Sequence, residues 1–156
     1  MTTLADIAAK PLSEIARTQP IRVASDTPVL AVVKQLESHQ CSAVLVEENG
    51  ALVGIFTERD LMARVDHSNP AWQSIPVSEV MTKSPKSIRT DQTLEDALNL
   101  MVVGVYRHLP TVGPDGAPEG IVSILDLLVH ITEFFPDDFA NLPPDPDHEA
   151  SGPWGG

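Results

Sequence analysis

Cys41 is the only cysteine of the chain, so an internal disulfide cannot form and a cysteine-based metal cluster is not available. A reducing cytoplasm is the expected setting. No apolar run approaches the ~20 residues that crossing a bilayer requires. The start, Met1-Thr-Thr-Leu-Ala-Asp-Ile-Ala-Ala-Lys10, also lacks the cationic-then-apolar pattern of a secretory leader, and the chain reads as soluble and unexported. Bases are scarce as well: 10 Lys and Arg stand against 22 Asp and Glu, a net charge of −12. That balance speaks against a nucleic-acid or anionic-membrane surface spread over the protein, because phosphates are held mainly by clustered Lys and Arg. It leaves room for a local basic pocket. The sequence has no P-loop, no nucleophile elbow and no cysteine-histidine constellation, and His39, His67, His130 and His148 show no metal-ligand spacing. An enzyme is therefore the weakest of the functional readings.

What is present is a chain of 156 residues with 42% hydrophobic residues, enough to bury a core as one compact domain or two very small ones. Half of the net negative charge lies at one end. From Glu133 onward there are six acids, five prolines and no base, which predicts an acidic, proline-rich tail over 133–156 that is extended over a surface or solvated. Phe134, Phe135, Phe139 and Leu142 give that tail something to dock with.

The rest is duplicated. Pro11/Pro76, Ser13/Ser78, Glu14/Glu79, Pro20/Pro85 and Asp26/Asp91 match at an offset of 65. Reading Gln92 as one extra residue moves the offset to 66, where Thr27/Thr93, Ala31/Ala97, Val46/Val112, Gly50/Gly116, Ala51/Ala117, Gly54/Gly120, Ile55/Ile121, Asp60/Asp126 and Leu61/Leu127 match. Each copy spells strand, helix, strand, strand, helix. Short extended runs over 21–23 and 87–89 lead in. Thr27 and Thr93 are the expected N-caps of the first helices, with Pro28 at the first helical position. Asn49-Gly50 and Asp115-Gly116 suit tight hairpins, and second helices follow Thr57 and Ser123. A parallel strand–helix–strand crossover plus a hairpin predicts, for each copy, a mixed three-stranded sheet with helices on one face. The expected division is an N-terminal segment 1–10, repeats at 11–67 and 76–132, a linker 68–75 and the tail. Trp72 is expected to pack over the joint, and Cys41 to be a small buried filler.

At the end of the last strand of each copy stand Gly54-Ile-Phe-Thr57-Glu-Arg-Asp60 and Gly120-Ile-Val-Ser123-Ile-Leu-Asp126. A hydroxyl three residues before a carboxylate at a strand-to-helix turn forms a capping box worth ~1 kcal/mol. The same groups can serve a ligand, and the pattern alone leaves both uses open.

The duplicated scaffold, the hairpin glycines and the two G-x-x-[TS]-x-x-D segments together resemble the CBS domain, and the whole of residues 11 to 131 resembles a tandem CBS pair, or Bateman module. Tyr106-Arg-His-Leu-Pro110 looks like the R-H-x-P strand of that family, and Val80-Met-Thr82 with Pro85 looks like its lead-in segment. Copy one departs from the pattern, with Ile15-Ala16 in place of Val80-Met81 and Val44 in place of Pro110. The resemblance implies an α/β (α+β) fold of two repeats related by a pseudo-two-fold axis. It also implies regulatory binding of adenosine-containing ligands: AMP, ADP or ATP, with S-adenosylmethionine or NAD as further members. A carboxylate suits vicinal ribose hydroxyls, and a hydroxyl at a helix start suits phosphate.

By the same resemblance each cleft joins one repeat's motif to the other repeat's strands. The first would use Ile55, Thr57 and Asp60 opposite Ser84, Pro85, Lys86, Tyr106 and Arg107. The second would use Ile121, Ser123 and Asp126 opposite Thr18, Ile21, Arg22, Ser42 and Ala43. Arg59, Lys86, Arg107 and His108 are the candidates for phosphate charge. A homodimer and an unidentified regulated protein are the implied partners, with no nucleic acid, membrane or catalytic cofactor. The competing readings are an interaction module that binds no ligand and, behind it, an enzyme.

Overall fold

The computed structural model describes residues 2–15 and 19–135. Thr18 and residues 136–156, which hold nearly all of the expected tail with His148 and Trp154, lie outside them. Helix α1 (Leu4–Ala8) and a 3₁₀ turn (Leu12–Glu14) precede strand β1 (Ile21–Ala24), helix α2 (Val29–His39), strands β2 (Ala43–Glu48) and β3 (Ala51–Thr57), and helix α3 (Glu58–Arg64). After 3₁₀ turns at Pro70–Ser74 and Val77–Glu79, the series resumes with β4 (Thr82–Lys83), β5 (Ile88–Arg89), α4 (Leu94–Gly104), β6 (His108–Val112), β7 (Pro118–Ser123) and α5 (Ile124–Phe134).

In each repeat the first strand runs parallel to the second, with a helix as crossover, and a hairpin adds the antiparallel third. Asn49 and Gly50 both take positive φ at the first hairpin turn, as does Gly116 at the second. Among the described residues the sheet of the second repeat is β5-β6-β7, the expected three strands, and that of the first is β1-β2-β3-β4. The added strand comes from the lead-in of the second repeat and pairs Gly54 with Lys83 and Ile55 with Thr82.

This exchange of lead-ins runs both ways. Val77, Val80 and Met81 complete the core formed by Val23, Val29, Val32, Leu36, Val44, Val46 and Phe56 of the first repeat. Ile7, Leu12 and Ile15 complete the core formed by Leu94, Ala97, Met101, Leu109, Val122 and Leu127 of the second. Burying one such aliphatic side chain contributes about 1.5–3 kcal/mol. The backbone repeats the exchange: Leu12 N donates to Gln92 O and Ser13 N to Thr90 O, while Val77 N donates to Thr27 O and Ser78 N to Ser25 O. That reciprocity is the pseudo-two-fold relation expected of the fold. Between the repeats, Ala43, Leu45 and Ile55 of one sheet meet Ile121 of the other, so β2 is buried on both faces. Gly54 admits the second lead-in, because a Cβ there would collide with the Met81 thioether. Trp72 packs on the first core, as expected.

Two local readings are corrected. Thr27 is not an N-cap: Pro28 holds that position without a side-chain bond, and the Thr27 carbonyl is committed to Val77. The extra residue of copy two is not Gln92. The buried faces Val29/Leu94, Val32/Ala97 and Leu36/Met101, and the left-handed caps Gln40/Val105, keep the offset of 65. So do Ala43 and His108, which oppose Thr57 and Ser123 in their hairpins. The insertion lies in the second hairpin, where the chain passes from Val112 to Pro118 against Glu47 to Leu52. An exposed turn absorbs a residue at little cost, whereas a helix face would rotate out of its core. Thr27/Thr93, Ala31/Ala97 and Val46/Val112 are therefore coincidental matches, and Pro110 occupies the place of Leu45, not of Val44.

Candidate functional site

Both G-x-x-[TS]-x-x-D segments turn from strand to helix with complete capping boxes. Thr57 Oγ1 accepts from Asp60 N and Ser123 Oγ from Asp126 N, while the carboxylates accept from the Thr57 and Ser123 backbone N–H. Thr3/Asp6 and Thr93/Asp96 form the same box at α1 and α4. The box is thus a general helix start in this chain, and at Thr57 and Ser123 it also lines a cavity.

The first cavity, of about 640 Å³, is lined by Ile55, Thr57, Arg59 and Asp60 of one repeat and by Pro85, Lys86, Tyr106, Arg107 and His108 of the other. Of the residues expected there, Ser84 alone is missing; it stands in a left-handed turn with its N–H on Val53 O. Asp60 is buried and saturated. Its Oδ2 accepts from Thr57 N at 3.0 Å and Thr57 Oγ1 at 3.1 Å, and its Oδ1 from Thr82 Oγ1 at 3.1 Å and pairs with Arg64 Nε at 3.1 Å. Arg64 and Thr82 also line this cavity, and the sequence reading passed over both. Their signal was faint: Arg64 is one turn beyond Asp60, and Thr82 becomes a neighbour only because β4 joins β3.

The second cavity, of about 570 Å³, is lined by Ser42, Ala43, Ile121, Ser123 and Asp126 as expected, with Gln19 and Pro20 beside them. Ile21 and Arg22 do not line it. Ile21 packs on the first core, and the Arg22 guanidinium is drawn away to Glu47 Oε1 at 3.1 Å and the Pro118 carbonyl at 2.7 Å. The C-terminal part of α2 and the turn after it supply instead Leu36, Glu37, Gln40 and Cys41, a contribution no motif announced. Cys41 is half-buried at the cavity wall and not the buried filler expected, and burial pushes its thiol above its ordinary range. Asp126 Oδ2 accepts from Ser123 N at 2.7 Å. Its Oδ1 accepts no hydrogen bond from the described residues.

Ser42, Glu58 and His108 line both cavities. His108 Nε2 and Ser42 Oγ lie 2.9 Å apart across this wall. Burial pulls the His108 imidazole below its ordinary range; Asp126 and Glu58 oppose that and Arg107 adds to it. Among the described residues no cluster of His, Cys, Asp and Glu could hold a metal ion, and no helix is long and apolar enough to cross a membrane.

Two strand–helix–hairpin–helix repeats, each completed by the other's lead-in and enclosing paired cavities at T/S-x-x-D helix starts, define a tandem CBS pair. The family model of the CBS domain matches residues 12–67 and 77–133, and the chain belongs to that family. It is 36% identical over 115 residues to the CBS domain-containing protein CBSCBSPB5 of Arabidopsis thaliana, covering 74% of this chain and 20% of that one. The chain thus spans about a fifth of the length of that plant relative. Among solved structures it is similar to the CBS-domain-containing protein ATU1752 from Agrobacterium tumefaciens, at 31% identity and TM-score 0.65, over 73% of this chain and 90% of that one. It shares its fold with CBSX2 of Arabidopsis thaliana solved in complex with AMP, at 23% identity and TM-score 0.67, over 79% of this chain and 97% of that one.

Proposed function

We propose that this CBS pair is a regulatory module that binds adenosine-containing ligands between its repeats and passes their presence on as a change of shape. The observation that carries this reading is the pair of cavities, about 570 and 640 Å³, each opening on a helix start that offers a hydroxyl and a carboxylate. Such volumes suit a nucleotide. Apolar walls at Ile55 and Ile121 offer a slot for adenine, and Arg59, Lys86 and Arg107 supply charge for phosphate. The AMP bound to CBSX2 supports the ligand class. A ligand moves such a module only through its differential affinity for two states, and the shared Ser42–His108 wall is where one cavity can feel the other.

The partner proposed is a second copy of the chain, on the resemblance and on the exposed Val102, Val103, Leu125, Leu128 and Val129 of α4 and α5. Beyond it stands a regulated protein reached without catalysis, in the cytoplasm. Isothermal titration with AMP, ADP, ATP, S-adenosylmethionine and NAD tests the reading. Micromolar binding of at least one is expected; no heat from any of them, at protein concentrations suited to that affinity, overturns it.

A further inference from the structure

We infer that Arg64 competes with the ligand for the Asp60 carboxylate: a ribose diol entering this cavity takes the place of the Arg64 guanidinium, an internal partner that latches the site until it is displaced. This rests on the adenosine reading above and adds to it a residue that sets the affinity.

Four donors reach Asp60. Oδ2 accepts from the Thr57 N–H and hydroxyl, and Oδ1 from the Thr82 hydroxyl and from Arg64 Nε. A carboxylate has about four acceptor positions, so a diol can bind only where an internal donor leaves. The four differ in how firmly they are placed. The Thr57 N–H is fixed by the helix start, whose box Asp60 closes. Thr82 is fixed by strand β4, where it pairs with Ile55 of β3. The Thr57 hydroxyl can turn its proton away and still accept from Asp60 N. Arg64 is held least. Its side chain is 52% exposed against 9% for Asp60, and it keeps the Met81 carbonyl at 3.3 Å as a second partner. An ion pair so open to water contributes little, and the released guanidinium is readily hydrated. Its departure opens one position on Oδ1, and the turn of the Thr57 hydroxyl opens one on Oδ2, so each vicinal hydroxyl of a ribose gains an acceptor. Arg64 and Thr57 both line the cavity, and the exchange takes place inside it. The apparent affinity is then the intrinsic one scaled by the fraction of molecules in which Arg64 has let go.

Calorimetric titration of the full-length chain with adenosine and with AMP, comparing wild type with Arg64→Met, tests this exchange. Methionine keeps an aliphatic stem and removes the competing donor, while Thr57 and Thr82 still hold Asp60. Both compounds should bind Arg64→Met about fivefold more tightly. Adenosine is uncharged, so its affinity for wild type should rise with salt, which screens the pair that binding breaks, and should be indifferent to salt in Arg64→Met. In wild type the Arg64 Nε–H resonance should move on saturation with adenosine. Equal or weaker binding to Arg64→Met, a wild-type affinity indifferent to salt, or an Arg64 resonance that stays in place at saturation overturns the exchange and leaves the adenosine reading standing. If neither compound binds either protein, the adenosine reading falls and the exchange with it.

Discussion

Asp60 and Asp126 occupy equivalent places in the two copies yet carry different amounts of structure. Removing the Asp60 side chain leaves the Thr57 N–H and the Thr82 hydroxyl without their acceptor and takes one partner from the half-exposed Arg64, which keeps the Met81 carbonyl; removing that of Asp126 undoes, among the described residues, one capping box. Asp60→Ala should therefore cost about 2–3 kcal/mol of unfolding free energy and Asp126→Ala about 1, read from urea denaturation of each variant. Equal losses would contradict the saturation of Asp60. The sequence could not grade the two aspartates. Both sit in G-x-x-[TS]-x-x-D, and among the described residues what separates them is a threonine brought in by strand pairing and an arginine whose counterpart in copy two is His130. Motif spacing reports which backbone position a residue holds, and it is silent on partners delivered from elsewhere in the chain.

At the scale of elements, β6 carries the chemistry that links the cavities. His108 stands where Ala43 stands in β2, so the wall has one imidazole and no symmetric second. Its burial favours the neutral ring in the folded state, whereas the unfolded chain titrates at the ordinary value of about 6.5. The sign follows: between the lowered folded value and 6.5 the unfolded chain binds more protons, so the stability tied to His108 is complete above pH 6.5 and lost as pH falls through the folded value. Stability curves of wild type and His108→Gln should diverge as the pH drops from 7.5 toward 5. An NMR titration should place the His108 midpoint below the ordinary histidine value of about 6.5, and a midpoint at or above that value would refute the assignment. Alternating apolar residues and hairpin glycines made the strands and most helices readable in advance. The site of the one-residue insertion was not readable, because five scattered identities in the first stretch fit either placement, and only the buried faces of α2 and α4 decide between them.

For the whole molecule, the apolar residues left on α4 and α5 predict association. Val103 is 84% exposed and Leu125 65%, so Val103→Glu should lower the sedimenting mass from dimer to monomer without loss of helical signal; a wild-type chain that sediments as a monomer at tens of micromolar would remove the basis for the dimer. The helix α5 runs through Glu133 to Phe134, and Phe134 and Phe135 rest against the second core, so these residues belong with the packed body and not with an extended tail. The exchanged lead-ins also give synthesis a direction. Ile7, Leu12 and Ile15 emerge from the ribosome long before Thr90, Gln92 and the core they complete, and must wait uncovered, while Val77, Val80 and Met81 meet a body already made. Two halves that are near equals once folded are thus unequal while the chain is being born, and the earlier of the two lead-ins is the later to find its place.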